Sequence, residues 1–391
     1  MSPRCRHAWA ALLIASVITT LAIYPSRAHA TVTSPSPASN HIRSMQWHLN
    51  YLSVDKAHRL SQGKGIVVAV LDTGVYPHPD LRNNLLTGTD IIRGGSGDGR
   101  LDRDGHGTGM AGLIAAHGRS TNRGALGIAP QAKILPIRFK IHGHEGAAGG
   151  LSQAIEFAVS NEASVISISS AGAPDLELQQ AIQKATHADV VVVAAAGNNP
   201  DDQNVRFPAA YSNVIAVGGI DQSGRHAKVS VTGHDVDVVA PAVEIYSTNF
   251  NGEYRSGTGT SGAAAIVAGA VALIRAKYPY LPADEVVHRL TATAIDKGPP
   301  GRDDQYGYGV IDLVAALTAD VPLRGFESVP ATAPESGGPS TAGADGPRAD
   351  GERAATVRGL ATLGVLLAAG GAWALFIRRR RSDDPPPRIT R

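Results

Sequence analysis

The amino-acid sequence predicts an α/β fold, a doubly wound and mostly parallel sheet flanked by helices. Three observations carry this. Short runs rich in Val, Ile and Ala at 65–72, 134–139, 164–170, 188–197 and 213–220 are nearly unbroken by polar residues, as strands buried on both faces must be. Helical patterns such as "GGLSQAIEFAVSN" and "ELQQAIQKAT" lie between them, so strand and helix alternate as parallel crossovers require. The composition agrees, because 391 residues at 43% hydrophobic and 5% aromatic suffice for one large aliphatic core. A formal net charge of +2 offers nothing to a polyanion, so nucleic acid is not an expected partner.

Taken in chain order, residues 1–30 carry Arg4 and Arg6, an apolar run from Ala8 to Ile23 and the small-residue ending Ala28-His29-Ala30. This is the pattern of a signal peptide cleaved after Ala30, which would remove Cys5, the only cysteine. Residues 31–60 form an N-terminal extension, and 61–320 the globular domain. Residues 321–358, rich in Pro, Gly and Ser without hydrophobic period, predict a disordered tether. The segment 359–377 is apolar and long enough to span about 27 Å as a helix. Arg378 to Arg381 follow it directly, which predicts a transmembrane helix with a cytoplasmic basic tail at 378–391 and the rest of the chain outside.

In a doubly wound sheet the active groups sit at the carboxyl ends of strands. Asp72 closes "VVAVLD" before Thr73-Gly74, where its carboxylate would project above the sheet and could orient a histidine. His106, in "DGHGTGMAGLIAA", stands between glycines at the entrance to an apolar helix. Asn198 ends the strand of "AAAGNN", where its amide could donate to a developing oxyanion. Ser261, in "GTGTSGAAAIVAG", would be a nucleophile at the start of a helix. Both glycine-rich segments fit G-x-G-x-x-G, yet neither has the strand-turn context of a dinucleotide fold, and the second lacks the Lys-Ser/Thr of a phosphate-binding loop.

These motifs, with "GIAP.A.ILPIR", "SVISISSAG", "FPAAYSNVIAVG" and "VVAP", resemble in order and spacing the subtilisin-like serine proteases over about 61–317. The resemblance implies a subtilisin-like catalytic domain with a charge-relay set of Asp72, His106 and Ser261, and with Asn198 in the oxyanion hole. It further implies that Ser169-Ser170-Ala171-Gly172 pairs with the substrate backbone opposite an edge at 146–150, and that Phe207–Pro208 is cis. Ala171 stands where the family usually has glycine, so small side chains are expected just before the scissile bond. No cofactor or metal is needed for the reaction. Calcium stabilises many relatives, although no loop here spells a calcium site.

Signal peptide, short extension, protease domain, tether and single C-terminal span together resemble the mycosins, membrane-anchored subtilases of type VII secretion in actinobacteria. That likeness implies an exported protein or peptide as substrate and membrane components of the secretion system as partners. The lack of cysteine in the expected mature chain departs from the disulfides usual there. The alternative function is a non-catalytic scaffold subunit of a secretion complex.

Overall fold

The structure, a computed structural model, describes residues 40–94, 96–141 and 149–324. The signal peptide, tether, C-terminal span and basic tail lie outside the described residues, as does 146–148 of the facing edge.

Seven strands form one parallel sheet: β1 (Val67–Asp72), β2 (Thr89–Asp90), β3 (Lys133–Arg138), β4 (Val165–Ile168), β5 (Val191–Ala195), β6 (Val214–Ile220) and β7 (Val238–Pro241). Their order is β2-β3-β1-β4-β5-β6-β7. The chain builds outward from β1 in both directions, so a crevice opens at the carboxyl end of β1 where the order reverses. Side chains of β1 alternate between two cores: Val68 and Val70 belong to one, Ala69 and Leu71 to the other. This alternation is why the strands read as continuous apolar runs.

Among the described residues three short helices, α1 (Ile42–Met45), α2 (Trp47–Tyr51) and α3 (Val54–His58), precede β1. Six more follow: α4 (His106–Ala115), α5 (Gly150–Ser160), α6 (Leu176–His187), α7 (Thr260–Lys277), α8 (Ala283–Ala292) and α9 (Leu313–Thr318). The buried residues of α4 and α7 pack on one face of the sheet, and those of α5 and α6 on the other. Asp175 caps α6 by accepting from Leu178 N at 2.8 Å. A hairpin of β8 (Ile245–Thr248) and β9 (Tyr254–Gly257) leads into α7.

Among the described residues α7 is the one helix long and apolar enough to cross a membrane, but it is largely buried within the protein. Its run of alanines lets it lie close against the strands. It is therefore the core helix of the domain. The Phe207–Pro208 bond is cis, as expected from the motif, and Asn199–Pro200 is cis as well.

Residues 40–58 are continuous with the domain. Ile42, Leu52, Val54 and Ala57 enter the same core as α7. Buried Gln46 donates from Nε2 to Leu126 O at 3.0 Å and to Tyr246 O at 3.2 Å, and its Oε1 accepts from Leu126 N at 2.9 Å. Trp47 Nε1 donates to Val243 O at 3.0 Å. The extension is thus a belt, tied by polar bonds to loops that flank α4 and β8.

Candidate active site

The site is assembled at the carboxyl ends of β1, β4 and β5 and at the amino ends of α4 and α7. Asp72 ends β1, is 1% exposed, and receives His106 Nδ1–H at 2.8 Å on Oδ1 and 2.9 Å on Oδ2. Thr73 N also donates to Oδ1 at 2.7 Å. Burial alone would raise the pKa of this carboxyl, but His106 and then Lys140 outweigh it and bring it down to about 2. Its neighbours thus favour the carboxylate form of Asp72.

The placement of His106 depends on Asp102, which the sequence analysis did not single out. Its buried carboxylate accepts from Thr73 Oγ1, Gly105 N and Asp104 N through Oδ1, and from Thr108 N and Thr108 Oγ1 through Oδ2. Thr73 Oγ1 in turn accepts from Gly107 N at 3.0 Å. The turn before α4 is thereby pinned to the residue after Asp72. Glycine is required here twice over: Gly105 adopts φ +88°, and a Cβ on Gly107 would lie 2.1 Å from Gly74 O. In the sequence Asp102 stands only as one of two aspartates in "DRDGHGT", four residues ahead of the histidine, and its burial is a feature of the fold.

On the other side of the crevice Ser261 is the second residue of α7, and its backbone N–H is one of those left unbonded at a helix start. Asn198 follows β5. Its Oδ1 accepts from Thr260 N at 2.9 Å and Thr260 Oγ1 at 3.1 Å, so among the described residues the hydrogen bonds of this amide run through its oxygen. Among the described residues the hydrogen bonds of the His106 ring run to Asp72, and the side chain keeps 25% exposure on the crevice side.

Ser169 lies just past β4 and its Oγ donates to Ser261 O at 3.4 Å. Lys140, two residues past β3, joins this group to the acid: Nζ donates to Ser169 O at 2.7 Å and lies 3.6 Å from Asp72 Oδ2. Ser170 and Ala171 are half-buried along the same edge. Gly172 is engaged within the protein, since its N–H donates to Phe207 O at 2.8 Å and its carbonyl accepts Arg206 Nε at 3.3 Å. A cavity of about 250 Å³ beside the pair is lined by Thr73, Arg103, Asp104, Arg138, Lys140 and Ile141. Among the described residues no three or more His, Cys, Asp or Glu side chains gather as a metal site.

A buried carboxylate oriented on an imidazole, opposite a serine at a helix amino terminus, is an arrangement suited to nucleophilic acyl transfer. Comparison with known proteins agrees. Residues 63–309 match the model of the Subtilase family. Subtilisin BL of Lederbergia lenta is 37% identical over 276 residues, covering 70% of this chain and 99% of that protein. The thermostable alkaline protease of Halalkalibacterium halodurans is 36% identical over 273 residues, covering 69% of this chain and 72% of its own. Among solved structures, a serine protease MycP1 described as an essential component of the type VII (ESX-1) secretion system is similar with a TM-score of 0.65 and 35% identity, covering 73% of this chain and 91% of that one. MycP3 protease from the type VII (ESX-3) secretion system is similar with a TM-score of 0.63 and 32% identity over 74% of this chain and 90% of its own. Fold, motif order and these relatives together make the chain a serine endopeptidase of the subtilase family, with mycosins among its structural relatives.

Proposed function

We propose that the protein is a membrane-anchored endopeptidase that cleaves exported proteins by a Ser261-His106-Asp72 charge relay, in association with a type VII secretion system. The observation that carries the mechanism is the buried Asp72 carboxylate 2.8 Å from His106 Nδ1. It fixes the tautomer with Nε2 unprotonated, so Nε2 can take the Ser261 proton as Oγ attacks a peptide carbonyl, and it stabilises the imidazolium that forms. Negative charge then develops on the carbonyl oxygen. The Asn198 amide and the Ser261 N–H receive it, and losing one such donor costs about 3 kcal/mol of transition-state stabilisation. The imidazolium returns its proton to the leaving amine.

Ser170 and Ala171 supply the main-chain edge on which the substrate lies as an added strand. Gly172, being bonded to Phe207 and Arg206, contributes by holding that edge in place. The apolar segment at 359–377 with its four following arginines supports anchoring with the protease domain outside. The test is a comparison of culture supernatant and envelope proteins between cells with the wild-type chain and cells with Ser261→Ala. An exported protein that stays uncleaved only in the mutant is the expected result. Secretion that fails on deletion of the chain but proceeds, with identical processing, in Ser261→Ala would favour the scaffold function instead.

A further inference from the structure

Among the described residues Lys140 is the one side-chain ammonium or guanidinium paired with the Asp72 carboxylate, which also accepts from the His106 ring. Its position follows from strand register. In the β1–β3 pair Asp72 lies opposite Arg138, and the pairing continues one step further through Phe139 N donating to Asp72 O at 3.1 Å. Lys140 therefore emerges beside the carboxylate. Its side chain crosses the end of β1 to reach Ser169 at the end of β4, so one lysine spans three adjacent strand ends. Only 14% of it is exposed. Fixing so long a side chain costs rotamer entropy, which the 2.7 Å bond to Ser169 O and the ion pair must offset.

We propose that Lys140 is a positioning residue of the hydrolytic site, strapped across β3, β1 and β4 so that its ammonium sets how strongly Asp72 can stabilise a protonated His106. This rests on the charge-relay assignment above. When His106 accepts a proton, imidazolium and ammonium share one buried carboxylate, and each weakens the other's claim on it. The lysine thus competes with the imidazolium for Asp72, and removing its charge should move the acid limb of the activity profile to higher pH. Other charged groups near the pair are Asp104, whose Oδ1 accepts His106 N at 3.0 Å, Arg255, whose Nη1 lies 3.4 Å from Asp104 O, Arg103 on the cavity wall, and Arg138 on the same wall, which pairs with Asp90 at 2.7 Å. Among the described residues the ion pairs of Asp72 run to His106 and Lys140. The same strap also ties the acid to the segment that meets the substrate, through Ser169.

The test is the pH profile of kcat/KM for labelled casein, measured on the full chain and read against each variant's own plateau. Lys140→Met should lose half its activity at a pH higher than wild type by about half a unit to one unit. Lys140→Gln, which can still donate to Ser169 O without a charge, should follow it, and Lys140→Arg should stay with wild type. A Lys140→Gln profile superimposed on wild type overturns the proposal even if Lys140→Met fails to fold. Ser261→Ala run alongside separates the two ideas: full activity there would sink the charge relay itself. An inactive Ser261→Ala with unshifted lysine variants would sink only the role of Lys140.

Discussion

The carboxyl edge of the sheet and the N-terminal belt both bury polar side chains, but by opposite chemistry. At the edge, Asp72 and Asp102 are buried carboxylates whose oxygens are filled by donors from the neighbouring turns. In the belt, short helices contribute aliphatic side chains to the core of α7, and neutral Gln46 and Trp47 bond to loop carbonyls. The difference is one of purpose. Buried charge at the edge carries a cost in desolvation, which the proposed reaction would explain, whereas burial in the belt stabilises the fold directly.

Substitutions should therefore separate the two regions, and the largest effect belongs to the edge. Ser261→Ala and His106→Ala are each expected to lower turnover by about 10⁴ or more with the melting temperature nearly unchanged. Activity and calorimetry on the same preparations check this, and wild-type turnover in either variant would erase the distinction. Gln46→Ala should do the reverse. It strands Leu126 N and two carbonyls, so about 3 kcal/mol of stability should be lost in urea unfolding, while the folded fraction keeps its kcat.

His48 gives the belt a pH dependence of its own. The ring is fully buried, neither nitrogen finds a partner among the described residues, and burial pushes its pKa from 6.5 down to about 3. The unfolded chain binds this proton near pH 6.5 and the folded chain only near 3, so the stabilising contribution is whole above 6.5 and declines as pH falls. Between pH 7 and pH 5 the loss should be about 2 kcal/mol. His48→Leu should flatten that slope and raise stability at pH 7, and an unfolding midpoint that still falls as steeply with acid would contradict it. The smallest effect lies in the first turn of α7. A Cβ at Gly262, just after Ser261, would sit 3.6 Å from Leu113 Cδ1, an ordinary contact. Gly262→Ala should therefore gain about 0.5–1 kcal/mol of helix stability, read as a rise in melting temperature. A loss instead would mean that the first turn of α7 needs the glycine.

How much was legible follows the same division. Five strands of the sheet were recognisable because parallel strands buried on both faces leave unbroken aliphatic runs. β2 escaped because it is two residues long, and β7 because four residues beside a turn do not stand out from the loop around them. The belt escaped for a related reason. Helices of four and five residues are too short to repeat a hydrophobic period, and what holds them is bonding to residues about 80 and 200 positions away.

Asp72, His106, Asn198 and Ser261 could be picked out by sequence alone, because each sits in a short motif of glycines and small residues that states its local backbone. Lys140 and Asp102 could not. A lysine after "LPIRF" looks like a solvated charge, and an aspartate in "DRDGHGT" like a turn residue. Only the register of β1 on β3 brings the ammonium over the carboxylate, and only the fold of the turn before α4 gathers five donors onto Asp102. The sequence by itself determined which groups have the chemistry, since nucleophile, base and acid are properties of residue type. The tertiary structure decided which charges they feel, since Coulomb energies depend on distance and burial across elements far apart in the chain.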